Sequence, residues 1–229
     1  MNISPNTVFL LPQAYPCYSL SFAAHSFDDS SSFSRHQIEL PQQLQHALTQ
    51  RKADYLAGRI CARQVLQHLG FVNFQLLPGA DRAPLWPDGI CGSISHSQHM
   101  AIAIAAPATE VVGLGIDIEQ LMPQQQQAEL QNSLIFPSEQ AVFYALAQQQ
   151  PHALSLVFSA KESIFKALFA QVGTIFGFDA VELIDFTEDK LFFRLTGTLS
   201  PTLCKATKLS VHFQQQAGAV LTFCVVLPG

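Results

Sequence analysis

The chain has 229 residues, of which 48% are hydrophobic and 13% are charged, and its formal net charge is −5. This composition is typical of one large domain or two small halves around a core, and it excludes a disordered or fibrous chain. The negative charge also argues against general nucleic-acid binding, so no nucleic acid is expected as a partner.

The apolar runs and the cysteines together predict a cytoplasmic protein. The longest apolar runs, residues 100–106 and 219–227, have the length of strands, so no transmembrane segment is predicted. The N-terminus lacks a basic region and its apolar run ends at Pro12, which does not match a signal peptide. The five cysteines are scattered without C-x-x-C spacing, which favours a reducing compartment over a disulfide framework or a zinc site.

The first third of the chain predicts strands and then a helix. Strands are predicted at residues 8–11 and 17–23, and a polar loop at residues 26–34. A helical region is predicted from Pro41 through residue 50 to residue 69, with Gly70 as its end.

This helical region carries a basic stripe. Lys52, Arg59 and Arg63 lie within about 40° of one another in helical projection, because positions seven and eleven apart nearly repeat. With Arg51 they make up four of the twelve Lys and Arg residues of the chain. Such a stripe is typical of a solvated helix face, but it can also bind an anionic ligand that the net charge of the chain would repel.

The rest of the chain mixes strands and helices. A connector at residues 107–110 predicts an antiparallel hairpin between the strands on either side of it, and the tract PQQQQ at residues 123–127 indicates a break. Ser138 is the predicted N-cap of the next helix. Strands are predicted at residues 92–95, 100–106, 111–119, 180–185, 191–195, 209–213 and 220–226, and helices at residues 138–149 and 151–171.

Residues 158–166 (FSAKESIFK) place charged side chains on the helix at residues 151–171. Glu162 and Lys166 are spaced i, i+4 and therefore lie side by side, whereas Lys161 projects into the apolar arc of the helix. By themselves these residues are also explained by a surface ion pair and by a Lys161 whose ammonium reaches solvent.

Residues 111–119 (VVGLGIDIE) read as a buried strand that ends in two carboxylates. Asp117 and Glu119 share one face because side chains alternate along a strand. Two carboxylates this close repel each other unless a cation lies between them, and their hard oxygen ligands suit Mg²⁺, with Glu162 as a third ligand. The simpler explanation is that both residues end a strand at the solvent.

Residues 92–97 (GSISHS) surround a histidine with small hydroxyl residues. Ser95 and His96 can present hydroxyl, imidazole and backbone N–H donors to phosphate oxygens. Alone, the pair is also typical of an ordinary strand edge.

In this order, Ser95-His96, G-x-D-x-E at residues 115–119 and F-S-x-K-E-S-x-x-K at residues 158–166 resemble the 4′-phosphopantetheinyl transferases. Residues 51–59 (RKADYLAGR) and 82–89 (RAPLWPDG) are similar to the surfactin-type group that serves nonribosomal peptide synthetases, and within it to the siderophore, enterobactin-synthase-type branch. The resemblance covers residues 51–166.

The resemblance implies an α+β fold of two similar α/β halves related by a pseudo-twofold axis, with the active site between them. The N-terminal half would be residues 1–114, with the basic helix and the SISHS motif, and the C-terminal half residues 115–229, with the GIDIE and FSAKESIFK motifs. A monomer is expected, because both halves lie in one chain.

The resemblance also implies the activity and the site. The 4′-phosphopantetheine arm of coenzyme A is transferred, with Mg²⁺, to a serine of an apo acyl, peptidyl or aryl carrier protein, releasing 3′,5′-ADP. The implied metal ligands are Asp117, Glu119 and Glu162, with Glu162 and Lys166 as catalytic residues. The implied coenzyme A contacts are Arg51, Arg59, Arg63, Arg82, Ser95, His96, Lys161 and Lys166.

Two other functions are compatible with parts of this pattern. A different Mg²⁺-carboxylate phosphotransferase or hydrolase would use the three carboxylates but neither Ser95-His96 nor the basic helix. A module that only binds carrier proteins would not need Asp117, Glu162 or Lys166, and all three are present.

Overall fold

A computed structural model describes residues 3–5, 15–24, 27–28, 31–216 and 218–228. The chain divides into two compact units, Met1–Val111 and Val112–Gly229. Both units combine helices with an antiparallel sheet, which confirms the α+β fold class. A domain boundary between residues 114 and 115 stays a prediction.

The first unit is a four-stranded sheet covered by one long helix. Its strands are arranged in the order β1-β2-β4-β3. The elements are β1 (Ile3–Pro5), β2 (Cys17–Phe22), α1 (Ser32–His36), a 3₁₀ turn (Gln42–Leu44), α2 (Thr49–His68), β3 (Ile90–Ser97) and β4 (Met100–Pro107). The strand predicted at residues 8–11 lies outside the described residues.

Small side chains bring α2 close to this sheet. Ala53, Ala57 and Cys61 recur every fourth residue on α2, and all three are fully buried. Ala101, Ala103 and Ala105 alternate along β4 and are equally buried, so both contacting surfaces are flat. The Cys61 thiol donates to the Ala101 carbonyl oxygen at 3.4 Å, which fixes the helix over the strand.

The second unit is a five-stranded antiparallel sheet packed against α5. Its strand order is β5-β9-β8-β7-β6. The elements are β5 (Gly113–Gln120), α3 (Gln124–Leu134), a 3₁₀ turn (Pro137–Glu139), α4 (Gln140–Gln149), α5 (Ala153–Val172), a 3₁₀ turn (Phe178–Ala180), β6 (Val181–Phe186), β7 (Lys190–Leu195), β8 (Lys208–Gln216) and β9 (Ala219–Val226).

The hairpin predicted around residues 107–110 is wrong. β4 pairs with β2 and β3, and the tight hairpin joins β3 to β4, with Ser97 opposite Met100. β5 pairs instead with β9, from the far end of the chain. A short connector permits a hairpin but does not select a strand's partner, which depends on long-range packing.

Two local predictions near α3 and α4 also fail. The tract at residues 123–127 is not a break, because α3 begins at Gln124 directly after Pro123. Glutamine is a good helix former, and proline suits a helix start. Ser138 does not cap α4: it lies in the 3₁₀ turn and its hydroxyl hydrogen-bonds the Glu182 carboxylate.

A buried ion pair ties α5 to its neighbours. The Lys161 and Glu139 side chains have no exposed surface, and Lys161 Nζ lies 2.6 Å from Glu139 Oε1 and 2.7 Å from the Leu134 carbonyl oxygen. The Glu139 carboxylate also accepts the N–H groups of Phe136 at 2.9 Å and Leu183 at 2.7 Å. One charge pair therefore links α5, the end of α3, the 3₁₀ turn and β6.

We expect Lys161→Met to lower the free energy of unfolding by about 3–5 kcal/mol, because it leaves the Glu139 carboxylate buried without its cation. Urea unfolding of the metal-free protein measures this loss. Arg194→Met is the matched control, since Arg194 pairs with Glu182 on the surface with half of its side chain exposed, and should cost about 1 kcal/mol or less. Equal losses in the two variants would contradict the structural role of Lys161.

Candidate active site

Two glycines let the backbone of α5 lie directly against β5. A Cβ atom added at Gly115 would lie 1.8 Å from the Ser163 carbonyl oxygen, and one added at Gly113 would lie 2.3 Å from the Ala167 carbonyl oxygen. Gly113, Gly115 and Asp117 are two residues apart and share one face of the strand. Asp117 therefore points toward α5.

The facing side of α5 carries a polar stripe. Ser159, Glu162, Ser163 and Lys166 follow the spacing i, i+3, i+4, i+7, which places them on one face of a helix. Ser159 and Ser163 are fully buried, whereas Glu162 and Lys166 are half-buried. The charged end of the stripe is therefore the part that a ligand can reach.

The Asp117 carboxylate is buried and held through both oxygens. Lys166 Nζ donates to Asp117 Oδ1 at 2.6 Å, and the Ser159 hydroxyl donates to Asp117 Oδ2 at 2.7 Å. Lys166 also donates to the Ile116 carbonyl oxygen at 3.3 Å. Charge-assisted hydrogen bonds of this kind offset much of the cost of burying the carboxylate.

The carboxylates of Glu119 and Glu162 interact electrostatically with the Asp117–Lys166 pair. Burial raises the pKa of Glu119 to about 7, helped by repulsion from Asp117 and Glu162 and opposed by Lys166. The pKa of Glu162 is likewise raised, first by burial and then by Asp117, against the attraction of Lys166. Three carboxylates thus face one ammonium, so full ionisation would leave the cluster with an excess of negative charge.

The donor atoms of this cluster suit a hard divalent cation. Asp117, Glu119 and Glu162 offer only oxygen ligands, and an added cation would relieve the repulsion that adds to burial in raising the pKa values of Glu119 and Glu162. Within the described ranges, no three His, Cys, Asp or Glu side chains are already gathered around one ion position.

In the first unit, Arg51 and His96 come together between α2 and β3. Arg51 Nη1 lies 3.2 Å from His96 Nε2, and the Asp54 carboxylate lies 3.8 Å from His96 Nδ1. Gln50 in turn donates to Asp54 Oδ1 at 2.7 Å. A guanidinium only donates, so His96 Nε2 accepts here and its proton is assigned to Nδ1, facing Asp54.

Arg59 and Arg63 of α2 are bound to backbone carbonyls. Arg59 is buried, donates to the Leu76 carbonyl oxygen at 2.7 Å and lies 4.5 Å above the Tyr55 ring, and burial lowers its pKa. Arg63 donates to the His36 carbonyl oxygen. Both arginines line a small cavity, and Tyr55 also lines it.

The structure thus brings some predicted site residues together and separates others. Asp117, Glu119, Glu162 and Lys166 form one electrostatically coupled cluster in the second unit. Lys161 is not part of it: its ammonium is buried against Glu139, so we assign it a structural role in place of the predicted coenzyme A contact.

The remaining predicted residues lie in the first unit. Arg51 meets His96. Ser95 is buried next to it on β3, and Arg82 lies exposed in a turn with φ 70°. Arg59 and Arg63 are held in the cavity by their carbonyl partners.

Sequence reasoning missed three polar neighbours of the site. Ser159 shares the helical spacing of Glu162 and Lys166, so its place on their face was readable from the motif. Asp54 beside His96 and Thr222 beside Asp117 depend on pairings across the fold, which spacing does not reveal.

Comparison with known proteins identifies the class. Residues 40–106 match the 4′-phosphopantetheinyl transferase N-terminal domain, and residues 113–224 match the 4′-phosphopantetheinyl transferase superfamily. The chain belongs to this superfamily and is a transferase enzyme.

Individual relatives are similar over most of the chain. It is 35% identical over 212 residues to the enterobactin synthase component D of Salmonella typhimurium, covering 89% of this chain and 87% of that protein. It is 32% identical over 213 residues to that of Escherichia coli strain K12, covering 90% and 96%. It is 36% identical over 170 residues to the 4′-phosphopantetheinyl transferase Svp of Streptomyces mobaraensis, covering 72% and 68%.

Among the described residues, no helix is long and apolar enough to span a membrane.

We expect Gly115→Ala to destabilise the protein by about 1–3 kcal/mol or more, because its methyl group would overlap the Ser163 carbonyl and force α5 away from β5. Gly197→Ala is the control, since a Cβ there meets open space among the described residues. Urea unfolding compares the two variants. If Gly115→Ala unfolds like Gly197→Ala, close approach of α5 is not required.

The raised pKa of Glu119 gives a second prediction, for the metal-free protein. Glu119 is neutral in both folded and unfolded chains below about pH 4.5, and between pH 4.5 and about 7 only the unfolded chain ionises it. Its contribution therefore lowers stability as pH rises through this window. Compared with Glu119→Gln, the wild type should lose stability between pH 4.5 and 8, measured as the difference in urea midpoints. A difference that is constant with pH would contradict the shift.

Proposed function

We propose that the chain transfers 4′-phosphopantetheine from coenzyme A to a serine hydroxyl of an apo carrier protein and releases 3′,5′-ADP. The observation that carries the proposal is the cluster on β5 and α5, where three carboxylates and the Lys166 ammonium share one charge network. We propose peptidyl or aryl carrier domains of a siderophore-producing nonribosomal peptide synthetase as acceptors, and the relatives named enterobactin synthase component D support an acceptor in enterobactin synthesis.

Asp117, Glu119 and Glu162 are the residues that would hold Mg²⁺, which would neutralise pyrophosphate oxygens when bound. Glu162 would accept the proton of the carrier serine, and its raised pKa makes it a stronger base than an ordinary carboxylate. The serine oxygen then bonds to the phosphorus as the bond from phosphorus to the 3′,5′-ADP oxygen breaks. Lys166 would stabilise the charge that this leaving oxygen acquires.

The first unit would bind the donor phosphates. Arg51 and His96 already lie side by side, and an anion between them would favour the doubly protonated imidazole. The exposed Arg82 and the buried Ser95 hydroxyl are proposed as further contacts. Arg59 and Arg63 would have to exchange their carbonyl partners for phosphate oxygens.

Intact-mass analysis of an apo aryl or peptidyl carrier protein, incubated with this chain, coenzyme A and Mg²⁺, tests the function. We expect the carrier to gain one phosphopantetheine, and a carrier with its acceptor serine changed to alanine to gain nothing. The sedimentation mass under the same conditions tests the proposed monomer. Binding without transfer would instead indicate a carrier-binding module, and hydrolysis of simple phosphodiesters without labelling would indicate a different phosphotransferase.

Asp117 and Glu162 should fail differently when they are neutralised. Asp117→Asn removes a negative ligand, so metal affinity should fall and raised Mg²⁺ or Mn²⁺ should restore part of the rate. Glu162→Gln keeps one ligand oxygen but cannot accept the serine proton, which typically costs about 10²–10⁴-fold.

Labelling rates of both variants over a metal titration separate the two roles. Added metal should not rescue Glu162→Gln. If it rescues this variant as fully as Asp117→Asn, then Glu162 is only a metal ligand, and the base must be sought elsewhere.

Arg51→Ala and Arg63→Ala should raise the KM for coenzyme A about tenfold or more, since each removes a charged hydrogen bond to phosphate worth about 1.5–3 kcal/mol. With dephospho-coenzyme A as the donor, the rise in KM should be much smaller, because this donor lacks the 3′-phosphate. Arg194→Ala, on the surface of the second unit, should leave both KM values unchanged. An equal rise for both donors would show that the basic stripe does not read the 3′-phosphate.

A further inference from the structure

We propose that Ser159 and Thr222 are positioning residues that fix the orientation of the Asp117 carboxylate for a divalent cation. This inference rests on the proposed function, because it assigns a role toward the same carboxylate cluster. Neither residue would contact coenzyme A or the carrier protein, since both are fully buried. They would act through Asp117.

Short hydrogen bonds link the side chains of Thr222, Ser159 and Asp117 in series. Ser159 Oγ lies 2.7 Å from Asp117 Oδ2 and 2.9 Å from Thr222 Oγ1. Thr222 Oγ1 also lies 2.8 Å from the carbonyl oxygen of Ser159. The Thr222 hydroxyl therefore makes two contacts with Ser159 of α5, one with its hydroxyl and one with its carbonyl oxygen.

The hydroxyl groups of this series all donate in the same direction, from Thr222 to Ser159 and from Ser159 to Asp117. An ionised carboxylate only accepts, so the single Ser159 hydroxyl proton goes to Asp117 Oδ2. Ser159 Oγ can then only accept from Thr222, whose one proton is shared between Ser159 Oγ and the Ser159 carbonyl oxygen. Thr222 thus orients Ser159, and Ser159 orients Asp117.

The strand register places Thr222 where this role is possible. Asp117 on β5 is directly opposite Thr222 on β9, and α5 supplies Ser159 above them. Directly opposed residues of an antiparallel pair point to the same face of the sheet. A β-branched side chain at residue 222 is also rotationally restricted, which keeps its hydroxyl aimed at the helix.

The two oxygens of Asp117 differ in what holds them. Oδ1 is bound by Lys166, whose side chain is 24% exposed and can exchange partners with solvent or ligand. Oδ2 is bound by Ser159, which has no exposed surface. When a cation competes with Lys166 for Asp117, the Ser159 bond can keep the carboxylate plane in place. Loss of such a supporting partner typically lowers metal affinity by about 10–100-fold.

Direct Mn²⁺ binding to the full chain, without coenzyme A or carrier protein, tests the proposal. Paramagnetic resonance of free Mn²⁺ would give the dissociation constant for the wild type, Ser159→Ala, Thr222→Val and Thr222→Ser. We expect an increase of about 10–100-fold for Ser159→Ala. Thr222→Val should give a smaller increase. Thr222→Ser should bind Mn²⁺ as the wild type does, because it keeps the hydroxyl.

Ser163→Ala is the matched control. Ser163 is equally buried four residues further along α5, but its hydroxyl donates to the Ala160 carbonyl oxygen inside the helix at 2.8 Å. Its dissociation constant for Mn²⁺ should match that of the wild type. In labelling assays, Ser159→Ala should raise the Mg²⁺ concentration needed for half activation and leave the KM for coenzyme A unchanged.

Each outcome decides between the two proposals. A wild type that neither binds Mn²⁺ nor labels a carrier protein overturns the proposed function, and this inference with it. A wild type that does both, with Ser159→Ala and Thr222→Val binding Mn²⁺ equally well, overturns only this inference. Equal weakening in Ser159→Ala and Ser163→Ala would indicate a packing effect and also overturn it. If Ser159→Ala does not fold, the pair Thr222→Val and Thr222→Ser decides.

Discussion

The site in the second unit depends on how closely the backbone of α5 approaches β5. At Gly115 the distance leaves no room for a side-chain carbon, because the Ser163 carbonyl oxygen already occupies its place. This contact brings Asp117 on the strand within hydrogen-bond reach of Ser159 and Lys166 on the helix. With any side chain between the two elements, the Asp117 carboxylate would be buried without its partners, which is costly. The glycine of the G-x-D-x-E motif is therefore a packing requirement of the carboxylate two residues later.

Neighbouring residues on α5 carry two charge systems, one fully buried and one partly exposed. Lys161 and Glu139 balance each other without exposed surface, and backbone groups satisfy the remaining hydrogen bonds. Glu162, one residue further and about 100° around the helix, belongs to a cluster in which three carboxylates face one ammonium. The Lys161–Glu139 pair is already neutral without a ligand, and it stabilises the fold. The unbalanced cluster favours an added cation, and this is the physical reason for placing the chemistry there.

Much of the fold was readable from local patterns. The alternation of apolar residues predicted β2 to β9 in outline, and the helical period predicted α5 and most of α2. The failures have a common cause. The connector at residues 107–110 was compatible with a hairpin, but β5 pairs with β9, which lies at the far end of the chain. The glutamine tract was read as a break because it is polar, although glutamine favours a helix when a proline precedes it.

The sequence by itself determined the family and the chemical types at the site, because carboxylates, lysine and histidine at motif spacing are properties of the chain alone. Only the tertiary structure decided what surrounds each of them. Lys161 and Lys166 belong to the same motif, yet one is sealed against Glu139 and the other reaches Asp117. The role of a charged group depends on its desolvation and on partners from distant parts of the chain, such as Thr222 beside Asp117. Neither property is encoded in the spacing of a motif.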